Sequence, residues 1–173
     1  MHKRHLVGVI LAIASLALVA CDDAAEEGRA TIAVTLNDGA PIESDVDVAG
    51  VVFEDLIVAA FVSRPFNEFI TAPRGDVIIE SYRITWERTD GGTGTLATRE
   101  ETVNIFVPVG DQVTASIRLV TWADKTGPVL LPLVGGGGTI AMRANIEFTA
   151  REPGTESEVK TAASATVNFA DTQ

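Results

Sequence analysis

From Thr31 to the end of the chain, apolar and polar residues alternate in separate runs. Ile32, Val34 and Leu36 alternate with Thr31, Ala33 and Thr35. Tyr82, Ile84 and Trp86 alternate with Ser81, Arg83, Thr85 and Glu87, and Val113, Ala115, Ile117 and Leu119 with Thr114, Ser116 and Arg118. The cleanest run sets Ile140, Met142, Ala144, Ile146 and Phe148 against Ala141, Arg143, Asn145, Glu147 and Thr149. Val159, Thr161, Ala163, Ala165, Val167 and Phe169 close the series. Successive side chains of an extended chain point to opposite faces, so each run predicts a strand with one core face and one wet face.

Turn chemistry separates the runs: Asn37-Asp38-Gly39, Asp90-Gly91-Gly92, Gly110-Asp111, Gly135 to Gly138, and Glu152-Pro153-Gly154. Val46 to Val62 is more apolar and less regular, which predicts two strands or one long bent strand, followed by a loop over Phe66 to Pro73. No stretch in this part has helical periodicity. About eight strands at this spacing favour an all-β, antiparallel two-sheet β-sandwich over a helical or α/β fold. A small closed barrel is the competitor, because alternation alone does not separate the two.

The beginning of the chain has a different pattern. His2, Lys3, Arg4 and His5 precede an unbroken apolar run from Leu6 to Val19, which ends in small residues at Ala20-Cys21. A basic start, an apolar run and a small-residue cleavage site are the anatomy of a secretory signal peptide. The run is too short to span ~30 Å of hydrocarbon as a relaxed helix. Leu18-Val19-Ala20-Cys21 resembles the lipobox of bacterial lipoproteins. The resemblance implies cleavage between Ala20 and Cys21, a thioether-linked diacylglycerol on Cys21, and acylation of the new amine with a fatty acid such as palmitate. It also implies an exported protein held on a bacterial membrane, inner or outer. Asp22 resembles the inner-membrane retention signal of enteric bacteria, a rule that does not extend to all bacteria.

These features divide the chain into a signal peptide at 1–20, a lipidated amino terminus with a short acidic tether at 21–29, and one β domain at 30–173. The tether, Asp22-Asp23-Ala24-Ala25-Glu26-Glu27-Gly28-Arg29, is too polar to order itself. Within the domain, the segment from Tyr82 to Gly92 resembles a middle strand and turn of immunoglobulin-like and fibronectin type III-like domains. Ile140 to Phe148 with Ala165 to Asp171 looks like their closing hairpin.

Composition narrows the chemistry. Both histidines, His2 and His5, leave with the signal, and the single cysteine is taken by lipid. No Ser-His-Asp triad, Cys-His pair, His-based zinc site or intrachain disulfide can then be built. Without Lys3 and Arg4, 11 basic residues face 24 acidic ones, a net charge of −13. Such a surface repels phosphate backbones, so nucleic acid is not an expected partner.

Several features remain as sites. Asp45-Val46-Asp47 puts two carboxylates on one side of an extended chain, where Asp111 or Asp124 could complete a calcium site; solvated charge is the simpler reading. For a hydrolytic carboxylate pair, Asp45, Asp47, Glu54 and Asp55 are close in sequence, as are Glu100 and Glu101, and such acids are usually solvated loop and edge charges. Arg74-Gly75-Asp76 spells the tripeptide read by integrins, in a predicted turn. Trp86 continues a core face, whereas Trp122 falls at a strand end as a possible ligand contact. Gly135 to Gly138 lacks the Lys-Ser/Thr of a phosphate loop and opens a strand. The expected function is therefore that of a lipid-anchored envelope protein that binds a protein or polysaccharide partner without catalysis or cofactor. A carbohydrate- or calcium-binding sandwich is the alternative, with a carboxylate hydrolase behind it.

Overall fold

The computed structural model describes residues 30–47, 54–65, 75–153, 155 and 157–172. Ala20, Cys21 and the expected loop at 66–73 lie outside the described residues. The described chain is all-β. Its strands are β1 (Thr31–Leu36), β2 (Ile42–Asp45), β3 (Asp55–Arg64), β4 (Val77–Arg88), β5 (Arg99–Val107), β6 (Gln112–Val120), β7 (Thr139–Glu152) and β8 (Ser157–Ala170). They form a three-stranded sheet, β1-β3-β6, and a five-stranded sheet, β2-β8-β7-β4-β5.

The alternation becomes burial. Along β7, Ile140, Met142, Ala144, Ile146, Phe148 and Ala150 are buried, and the residues between them are exposed or half-buried. The core fills the space between the two sheets. Phe61 of β3 meets Phe148 of β7 edge-on, with ring centroids 5.0 Å apart, and Tyr82 of β4 stands 6.1 Å from Phe148. Such contacts add directional preference to the burial of apolar area. Trp86 is half-buried and tilted against Phe169 at 5.9 Å, at the margin of the core where its alternation places it.

Three features depart from the pattern. The pairing is not antiparallel throughout: β2 runs parallel to β8. The cause is the turn after β1, where Asn37, Asp38 and Gly39 all take positive φ and redirect the chain from one sheet to the other. Short polar side chains and glycine tolerate that backbone better than other residues. Second, β5 is a strand that the apolar pattern hides, because its inward row opens with Arg99 and Glu101 before Val103, Ile105 and Val107. Third, a single helical turn, α1 (Trp122–Lys125), follows β6. Among the described residues no helix is long and apolar enough to cross a membrane.

Candidate functional site

The connection between β6 and β7, residues 121–138, is the most elaborate in the described fold. It begins with a reciprocal cap. The Thr121 hydroxyl accepts from the Asp124 N–H at 3.2 Å, while Asp124 Oδ2 accepts from the Thr121 N–H at 2.8 Å and its hydroxyl at 2.7 Å. Two amide donors at the start of the turn are thus satisfied by its own side chains. Arg99 of β5 adds a charged bond to the same carboxylate at 3.0 Å. It also donates to the carbonyls of Arg118 at 2.9 Å and Leu119 at 3.1 Å. Its Nε lies 2.9 Å from Glu101 Oε1, off the line needed for a hydrogen bond.

Fixing this turn sends two neighbouring side chains in opposite directions. Lys125 points inward and is only 5 % exposed. Its ammonium donates to the Asp45 carbonyl at 2.7 Å and to Asp55 Oδ1 at 2.8 Å, and the Ser44 hydroxyl bonds the other Asp55 oxygen. A buried charge is tolerable only with partners of this kind. Trp122 points outward and is 56 % exposed.

Further along, Leu130 and Leu133 are buried while Leu131 and Val134 are exposed. The run of four glycines closes the connection. Gly135 N–H donates to Asp171 Oδ2 at 2.6 Å, and Gly137 N–H to the Leu133 carbonyl at 2.9 Å. A Cβ at Gly137 would stand 2.1 Å from the Pro132 carbonyl oxygen, so only glycine fits there. The connection is pinned from below by Lys125, Leu130 and Leu133. It displays three of the six large apolar side chains exposed in the described structure: Trp122, Leu131 and Val134. Of these, the sequence pattern points only to Trp122.

The other singled-out residues are engaged elsewhere. Asp45 Oδ1 accepts from the Asp47 N–H at 3.0 Å and Oδ2 from the Thr172 hydroxyl at 2.7 Å. The Thr172 hydroxyl, then the Asp47 amide, hold the Asp45 carboxyl below the usual carboxylate range. The described residues contain no group of three or more His, Cys, Asp or Glu placed to hold a metal. Glu54 pairs with Arg118 at 2.9 Å, Glu100 with Arg83 at 2.9 Å, and Asp55 with Lys125 as above. These acids therefore face cations rather than one another. Arg74 lies outside the described residues. Gly75 is buried, with its N–H on Glu152 Oε1 at 2.9 Å and its carbonyl accepting from the Ser63 hydroxyl. Asp76 Oδ1 accepts from the Val109 N–H at 2.8 Å. A shallow hollow of about 330 Å³, open to solvent, lies between Gly39–Pro41 and Ser164–Thr166; nothing titratable lines it.

No family model matches the chain, and no curated protein matches it. Among solved structures, the chain is similar to a crystal structure of a protein from Archaeoglobus fulgidus. The identity is 14 %, the TM-score is 0.42, and the match covers 81 % of this chain and 94 % of that one.

Proposed function

We propose that this chain is an exported, lipid-anchored envelope protein whose β domain is a non-catalytic binding module. The carrying observation is the β6–β7 connection, where a buried lysine and two buried leucines hold Trp122, Leu131 and Val134 in solvent. Exposed apolar side chains on a pre-organised loop suit recognition, because little ordering entropy is lost on contact. Aromatic residues such as tryptophan are enriched among the side chains that dominate binding energy. The anchor part of the proposal rests on the run from Leu6 to Val19 and on Cys21 behind Ala20.

An immunoglobulin-like sandwich is the finer reading of the fold. Its support is the strand order, with β8-β7-β4-β5 in one sheet facing β1-β3-β6 in the other. That order corresponds to the G-F-C-C′ and A-B-E strands of variable-type domains. The first strand region divides between the sheets, and β2 lies parallel to the last strand.

A photo-reactive amino acid at position 122 in the full-length protein, activated in intact cells, tests the binding role. The proposal expects a discrete adduct of one mass, absent when the same group is placed at Thr85 on an outer sheet face. Equal, diffuse labelling from both positions would overturn it.

A further inference from the structure

The outer faces of the two sheets differ in kind. On the five-stranded sheet, charged pairs cross the strands: Arg83 with Glu100, Arg151 with Glu80, Arg143 with Glu87. On the three-stranded sheet, the outward row of β3 reads Leu56, Val58, Ala60, Val62 and Arg64. Its register sets Thr31, Ala33 and Thr35 of β1 on one side and Gln112, Thr114, Ser116 and Arg118 of β6 on the other. No carboxylate stands in these twelve positions, in a chain carrying 24 of them. Leu56 is 61 % and Val58 49 % exposed. Beyond Leu36, β1 no longer flanks β3, and this leaves both open.

We infer that this face of β1-β3-β6 lies against the surface of the lipid bilayer to which the chain is tethered. The inference rests on the anchor at Cys21. The chain enters the fold through β1, a strand of this same sheet, ten residues after Cys21. The acidic remainder of the domain is repelled by anionic headgroups, whereas these twelve positions hold apolar, hydroxyl and amide groups with Arg64 and Arg118, the latter paired with Glu54 at the end of the β3 row. At about 4.8 Å between strands and 3.3 Å per residue, the face measures roughly 15 by 30 Å. Its area of about 450 Å² is around half of what each partner gives to a stable protein pair, ~800 Å². A second copy would therefore be held weakly. A bilayer already joined through the amino terminus needs only a weak contact, since tethering supplies a millimolar-scale effective concentration.

The test uses full-length lipoprotein purified from membranes and placed in vesicles of phosphatidylglycerol and phosphatidylcholine. An environment-sensitive dye is attached at Thr114→Cys on this face, or at Ala162→Cys on the outer face of the other sheet. Lipid-borne quenchers should dim the dye at 114 severalfold more than at 162. Adding Leu56→Ser and Val58→Ser should abolish the difference while the protein still floats with the vesicles. Floating protein with equal quenching at both positions would overturn this inference alone. Quenching at 114 by a second labelled copy instead of lipid would assign the face to self-association and also overturn it. Protein that does not float would remove the anchor, and this inference with it.

Discussion

The Tyr82 hydroxyl on β4 accepts from the Arg118 backbone N–H on β6 at 3.1 Å and donates to the Arg118 carbonyl at 3.2 Å. A single side chain thereby joins the five-stranded sheet to the three-stranded sheet through the core. Removing it leaves two backbone groups of a core-facing strand without that partner. Tyr82→Phe should therefore cost about 1–3 kcal/mol, read as a lower urea midpoint at unchanged m-value.

The same residue gives a pH signature. Burial, with Glu101 nearby, raises the Tyr82 phenol above its ordinary value of 10.0. Folding favours the neutral phenol, so its stabilising effect is complete below the unfolded pKa and disappears as pH climbs through the raised folded value. Wild type should lose stability with a distinct slope above about pH 10, and Tyr82→Phe should lack that component. Equal alkaline slopes for the two proteins would contradict this.

Lys125 holds the connection that carries Trp122. Lys125→Met should cost about 3–5 kcal/mol, because Asp55 would keep a half-buried charge without its cation. Combining Lys125→Met with Asp55→Asn should restore part of the loss, and the double-mutant cycle should return a coupling well above the error of the denaturation curves. Calcium added to wild type should leave the melting temperature unchanged, since the ammonium already sits on the Asp45 carbonyl and Asp55.

Trp122→Ala and Leu131→Ser should leave stability within about 0.5 kcal/mol, as expected for exposed positions. Binding to envelope components should fall sharply in the same variants. Stability loss without binding loss would assign these residues to packing.

The strands were legible where one face is wholly apolar. The residues of β7 and β8 alternate cleanly because their partners on both sides enforce a dry row and a wet row. β5 was hidden by Arg99 and Glu101 on its inward row, which serve β6 and α1 rather than the core. The crossing from β1 to β2 was visible only as a turn, since parallel pairing with β8 joins residues more than a hundred positions apart. In the site, Trp122 was visible as an aromatic at a strand end. Leu131 and Val134 were not, because the pattern cannot distinguish them from the buried Leu130 and Leu133 beside them. The inward turn of Lys125 depends on Ser44, Asp45 and Asp55, which only the fold brings together.

The lipid anchor on Cys21 is decided by the intact mass of the protein extracted from its native membrane. A chain beginning at Cys21 with a diacylglyceryl thioether and an acylated amine is expected, and no such species from Cys21→Ser. A mature chain beginning elsewhere, or a free Cys21 thiol, would contradict it.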